Sequence, residues 1–309
     1  MADPTLLDVA RLNNADSVVG LIEESVATTP EMAQFSARSI KGISFEQVIR
    51  TALPDVGFRD ANEGVAAVKS TYVRRRSECS LLDASVEVDK KVADRYEDGP
   101  DAFMAIEASG LMEAGMRSVA SQIWYGRDTT VSTSTAASPL KGFHGMVEFY
   151  DTTDMVVNAG GGGATRSSVW FVKYGPKYVQ LLLGEAGQFD VGETMSVRLT
   201  DGTDNPYDGF RKPLTAYIGL HCPNPRNSVV RIRNLTAANP LTDTLMYNAM
   251  ELFPAGLAPD ACFMTRRSLF QLRASRTATN ATGQPAPIPT EFMGVPMYPT
   301  DSLVNTETA

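Results

Sequence analysis

From Cys79 to Asp89 hydrophobic and polar positions alternate with a period of two. Ser80, Leu82, Ala84, Val86 and Val88 fall on one face, Cys79, Leu81, Asp83, Ser85, Glu87 and Asp89 on the other. The spacing predicts one arm of a β-ribbon running from Gly57 to about Asp89. Its other arm is read at 64–73, rich in Val, Thr and Tyr, with Arg74, Arg75 and Arg76 at the bend. An arm of about a dozen residues reaches roughly 40 Å, and a lone two-stranded ribbon is marginally stable in water. It therefore needs a surface to lie on, from its own domain or from another subunit.

The period then changes to that of a helix. Met104, Ala108, Leu111, Met112, Gly115, Val119 and Ile123 recur at spacings of three and four, predicting a helix over 98–126. Asp98 is the expected N-cap, Gly99 and Pro100 open the first turn, Asp101 adds a favourable charge and Gly126 stops the run. At 1.5 Å per residue the rod is about 40 Å long, well beyond an ordinary helix. One stripe fits an ordinary long helix on a sheet as well as an interface.

Elsewhere the pattern is coarser. Residues 1–44 read as an arm with a short helix around Asp16–Ala27, followed by polar chain containing Pro30 and Gly42. Residues 127–140 are a Ser/Thr-rich connection. Strands are predicted over 169–173, 178–183, 194–199, 215–220 and 229–232, then a helix over 241–253. A strand over 261–264, a helix over 265–275, a strand over 295–298 and a frayed tail complete the chain. Strand runs followed by helices, without strict alternation, indicate an α+β fold.

Composition narrows the function. In 309 residues, 43% hydrophobic and 21% charged, usage is that of a soluble protein with one large or two modest domains. No apolar run approaches the ~20 residues of a membrane span, and the start of the chain lacks a signal-peptide pattern, so a cytosolic compartment is expected. The net charge of −8 argues against a protein that grips nucleic acid over its whole surface, though not against proximity to DNA. Cys79, Cys222 and Cys262 lie far apart without CxxC spacing and are read as reduced thiols.

Catalytic signals are thin throughout. His144 and His221 belong to no metal-ligand pattern and read as ordinary loop or strand residues. Gly160–Gly163 lacks the Gly-Lys-Ser/Thr ending of a phosphate loop and reads as a surface loop. Asp201, Asp204 and Asp208 lack the alternate-position spacing of a calcium loop and read as turn chemistry. No Ser, Cys or Lys sits in a recognisable nucleophile context. No enzyme activity, catalytic residue, cofactor or metal site is expected.

A specific resemblance rests on several motifs in order. SSVWFVKYGPKYVQLLL at 167–183, TDGTDNPYDGFRKPLTAYIGL at 200–220 and NSVVRIRNLT at 227–236 resemble the middle of the major capsid protein of tailed bacteriophages. Gln122-Ile123-Trp124-Tyr125-Gly126, leading to Leu140-Lys141-Gly142-Phe143, is similar to that family's helix exit. PDACFMTRRSLFQLRAS at 259–275 and EFMGVPMYPTDSL at 291–303 resemble its later strand-helix and Gly-x-Pro segments. Together the match spans about residues 57–303.

The resemblance implies the Hong Kong 97-type capsid fold. Its parts would be an N-terminal arm at 1–44, an extended β-hairpin loop at 45–97 and a peripheral domain at 98–142 with a spine helix at 98–126. A mainly axial, β-rich domain would occupy 143–303, with some strands returning to the peripheral domain and a tail at 304–309. It also implies a structural major capsid protein that assembles as pentamers and hexamers into an icosahedral shell around double-stranded DNA, without sequence-specific binding and without a membrane. A separate scaffolding protein, a portal and a decoration protein are the implied partners, with assembly in the host cytoplasm and residence in the virion. No isopeptide-forming Lys–Asn pair can be identified. Arg74, Arg75 and Arg76 are candidates to meet a neighbour's Glu87, Asp89, Asp94, Glu97 and Asp98; the alternative is that both clusters are solvated. A cement or tail protein, a β-rich binding module and an unrecognised enzyme remain the alternative functions.

Overall fold

The computed structural model describes residues 4–13, 27–127, 141–150, 154–185, 189–278 and 284–307. The helix expected around Asp16–Ala27 and the connection at 127–140 fall almost wholly outside these residues. In chain order, α1 (Leu6–Leu12), α2 (Glu31–Gln34) and β1 (Ala37–Ser39) precede the antiparallel pair β2 (Ser44–Ala52) and β3 (Thr71–Glu78). β4 (Ser80–Asp89) and α3 (Lys90–Ala93) lead into α4 (Pro100–Tyr125), followed by α5 (Met146–Tyr150), β5 (Val156–Asn158), β6 (Ser167–Val172) and β7 (Gln180–Leu183). β8 (Phe189–Val191), β9 (Met195–Thr200) and the long β10 (Pro206–His221) come next, then α6 (Pro225–Ser228), β11 (Val229–Leu235) and α7 (Asp243–Glu251). β12 (Ala261–Met264), α8 (Arg266–Ala278), β13 (Glu291–Phe292) and β14 (Val295–Pro299) complete the order.

Two sheets form the body. One runs β1-β7-β10-β4, with β8 and β9 also on β10; the other runs β13-β14-β12-β6-β11-β5. β6 and β12 are buried at every position, as strands covered on both faces must be. Helix α4 lies against β4 and β10 and carries its last turn into the second sheet, where Trp124 stands 5.8 Å from Trp170. The predicted stripe holds: Met104, Ala108, Gly115, Val119 and Ile123 are buried, with Leu111 and Met112 half-buried beside them. Gly99, not Asp98, is the N-cap, because Pro100 occupies the first helical position and Gly99 supplies a φ of 91°. At the other end Gly126 packs back to back with Gly145, where a Cβ on either would strike the other's backbone. Gln122 Nε2 then donates to the Phe143 carbonyl at 2.8 Å, closing the helix exit on the chain beyond it.

Several sequence expectations need correction. The ribbon is not 64–73 against 79–89: its strands are β2 and β3, and β4 pairs in register with β10, from Asp89↔Gly209 to Ser80↔Ile218. Alternation identifies which face of a strand is apolar but not which strand lies beside it, and β10 offers β4 a buried partner. Arg74, Arg75 and Arg76 consequently lie within β3, opposite Val48, Gln47 and Glu46, and not at a bend. The turn is the long segment 53–70, where Pro54, Gly57 and Gly64 interrupt strand pairing.

The expected arm is also less free than its polar text suggests. Phe35 is buried against Trp124, Tyr174 and Phe263, and β1 adds in parallel to β7. The tail is fastened too, since Glu307 bridges Arg166 and is buried.

Candidate assembly surface

The β2–β3 ribbon leaves the body with little of its own to bury. β3 is exposed at every position except half-buried Ser77, and nine residues of β2 project it by about 30 Å. Cross-strand neighbours share a face. Val48, Arg50, Tyr72, Arg74 and Arg76 make the fully exposed one, and Arg50 lies 5.5 Å over the Tyr72 ring. Beyond the strands, Leu53, Val56, Phe58, Val65 and Val68 are all exposed, Phe58 completely so. A monomer rarely leaves such a run of apolar side chains in water unless it meets another surface.

Among the described residues the ribbon is tied down at its root, through a contact that the reading of His221 as an ordinary residue misses. His221, at the end of β10, is fully buried. Its Nδ1 lies 2.9 Å from Ser77 Oγ on β3, its Nε2 lies 2.7 Å from Gln47 Oε1 on β2, and its ring meets Phe45 edge-on at 4.9 Å. Burial, then the nearby Arg38 guanidinium, lower its pKa from 6.5 to about 4. The signal that could have found this contact is the shared face of Phe45, Gln47 and Ser77, which becomes visible only when the register is known.

The charged candidates divide. Arg76 pairs along its own strand with Glu78 at 3.2 Å, while Arg74 and Arg75 point into solvent. Glu87 is engaged by Arg211 of β10 at 3.4 Å, and Asp89 caps α3 by accepting from Lys91 N at 2.7 Å. Asp94, Glu97 and Asp98 remain as exposed carboxylates between α3 and α4. Within one chain the structure pairs none of the three arginines with these acids.

Two buried polar clusters hold the termini of the described chain. Glu307 accepts from Ser168 Oγ at 2.5 Å and Tyr125 Oη at 3.0 Å, and lies 3.2 Å from Arg231 Nη2, which is stacked over Trp170. Burial and the Glu307 carboxylate push the Tyr125 phenol well up. Glu31 accepts from Thr300 Oγ1 at 2.9 Å and Trp124 Nε1 at 3.4 Å, and burial raises its pKa. Both clusters use isolated residues far apart in sequence, so no motif announces them.

Among the described residues no chemistry of a catalytic kind assembles. Asp201 accepts from Thr203 N and Asn205 N, which hold its carboxyl at about 2 and mark a turn. His144 contacts Glu148 on the surface. Among the described residues no group of three or more His, Cys, Asp or Glu could hold a metal ion, and no helix is long and apolar enough to cross a membrane.

Comparison with known proteins places this architecture. A chain of bacteriophage Epsilon15, determined by cryo-EM, is 20% identical, covers 100% of this chain and 98% of its own, and superposes with a TM-score of 0.71. A chain of the SrpI encapsulin complex from Synechococcus elongatus covers 76% of this chain and 96% of its own at 8% identity and a TM-score of 0.48. A procapsid chain of bacteriophage JBD30 covers 90% and 93% at 12% identity and a TM-score of 0.47. No curated protein matches. The Epsilon15 likeness establishes the fold, the α+β Hong Kong 97-type capsid fold. The family described as major capsid protein GP7 matches residues 14–309. Over that span the chain belongs to the major capsid protein GP7 family, and it is a structural protein of a virion's capsid shell, not an enzyme.

Proposed function

We propose that the chain tiles an icosahedral shell as pentamers and hexamers around double-stranded DNA, and that the ribbon β2–β3 with its loop 53–70 is the part that grips a neighbouring copy. The observation that carries the reading is the exposed apolar loop at the end of a ribbon with no core of its own. Magnitudes decide between loop and arginines. Burying Leu53, Val56 or Phe58 fully contributes about 1.5–3 kcal/mol each, whereas an exposed ion pair contributes about 0–1 kcal/mol. The apolar residues supply the affinity, and Arg74 and Arg75 meeting a neighbour's Asp94, Glu97 or Asp98 set its register. Contacts of this head-to-tail kind close into rings of five and six.

In this reading residues 44–78 form the extended loop, α4 is the spine of a peripheral domain, and most of 143–303 gathers about the symmetry axes. A separate scaffolding protein guides assembly in the host cytoplasm, and a portal and a decoration protein complete the particle. The net charge of −8 suits a wall that encloses DNA without holding it.

The test is a Val56→Ser, Phe58→Ser double variant. Both side chains are exposed in the free chain, so its melting temperature should match the wild type while shells disappear from electron micrographs. Normal shells from this variant would remove the loop from the interface.

A further inference from the structure

We infer that His221 is a positioning residue that anchors the ribbon to the body of the subunit, holding both of its strands from one side chain. The inference rests on the ribbon being the gripping element, but it is carried by separate observations. Gln47 and Ser77 are diagonal neighbours near the root of the pair: Gln47 is opposite Arg75, and Ser77 is opposite Phe45. Phe45, Gln47 and Ser77 thus share one face of the ribbon, and all three converge on the His221 ring. With Gln47 presenting its oxygen, Nε2 carries the proton and donates, leaving Nδ1 to accept from the Ser77 hydroxyl. One neutral imidazole therefore serves the two strands with opposite hydrogen-bonding roles, which no carboxylate or ammonium could do.

The surroundings reinforce that choice. Arg38 of β1 lies 4.5 Å over the opposite partner ring, Phe45, and its positive charge disfavours an imidazolium. The chain crosses from ribbon to body at Cys79, whose N–H donates to the Ile43 carbonyl at 2.8 Å. There Gly219 of β10 admits the crossing, since a Cβ at that position would lie 2.8 Å from the Glu78 carbonyl oxygen and 3.1 Å from Cys79 Sγ. Backbone closes the corner, and His221 fixes the direction in which the ribbon leaves it.

The experiment is hydrogen exchange on the unassembled chain, read at the amides of 44–52 and 71–78. His221→Phe keeps the aromatic edge against Phe45 and deletes both hydrogen bonds. About tenfold faster exchange is expected in the ribbon, with exchange in β6 and β12 unchanged. His221→Gln, which can still donate to Gln47 and accept from Ser77, should restore most of the protection. Should His221→Phe fail to fold, Gln47→Leu with Ser77→Ala removes the same two bonds from the ribbon's side and should give the same local loosening. Unchanged ribbon exchange in a folded variant, or loosening that His221→Gln does not reverse, would overturn the assignment. Faster ribbon exchange with normal shells would instead support the anchor and remove the ribbon from the list of gripping elements, so the two ideas fail separately.

Discussion

β3 and β4 are consecutive strands separated by Cys79 alone, yet they have opposite fates. β4 finds β10 along ten registered pairs and turns Val88 into a fully buried position. Among the described residues β3 pairs with β2 alone, and even its valine, Val73, stays exposed. The presence of β-formers does not explain the difference, since both strands carry Val. It lies in what stands opposite: a strand gains stability from the surface its partners complete, and the described residues complete little of one for β3.

The sharpest attack on this contrast is at the body's buried charge. Glu307→Ala leaves Arg231 buried without its carboxylate, and unfolding free energy should drop by about 3–5 kcal/mol in denaturant titration; no change in the ribbon's charged residues should come near that. Next comes a matched pair of valines. Val88→Ala should cost about 2 kcal/mol, Val73→Ala less than about 0.5 kcal/mol, and equal costs would mean that β3 is as well supported as β4.

Acid sharpens the comparison at the point where the two regions join. Because the folded pKa of His221, about 4, lies below its ordinary 6.5, the unfolded chain binds the extra proton first. Its contribution is complete above about pH 6.5 and is lost as pH falls toward 4, on the order of 3 kcal/mol. His221→Gln should flatten that part of the stability profile relative to wild type. Glu31 acts with the other sign: a raised carboxyl pKa costs stability as pH rises past its unfolded value, so Glu31→Gln should gain slightly near neutrality. The smallest thermal effect belongs to Arg74, Arg75 and Arg76 changed together to Glu, within about 0.5 kcal/mol, while assembly is blocked by the wrong charge meeting a neighbour's carboxylates.

Much of the body is legible in the sequence itself. The i, i+3, i+4 stripe from Met104 to Ile123, opened by Gly-Pro and stopped by Gly126, carries the information for α4 within itself. So do the apolar runs of β6, β7 and β12, whose burial on two faces leaves no polar alternation to misread. What escaped is everything that depends on a partner. The alternation at 80–88 was real but was assigned to the wrong neighbour, and Arg74–Arg76 followed it to a bend that does not exist. Gln47, Ser77 and His221 carry no shared pattern until the register brings them together. Glu31 and Glu307 stand alone in polar text, and their value comes from Thr300, Trp124, Ser168 and Arg231, which are distant in sequence. The charge pattern puts the weight of the candidate interface on Arg74–Arg76, whereas the exposed loop from Leu53 to Phe58 carries the larger apolar surface.

The most direct measurement replaces 53–70 by a two-residue Asn-Gly turn joining β2 to β3, then records thermal unfolding and sedimentation of the variant beside the wild type. The account predicts the same melting temperature within about 2 °C, because no core is lost, together with sedimentation as small species where the wild type gives shells. Shells of normal size from the shortened chain, or a collapse of its melting temperature, would contradict it.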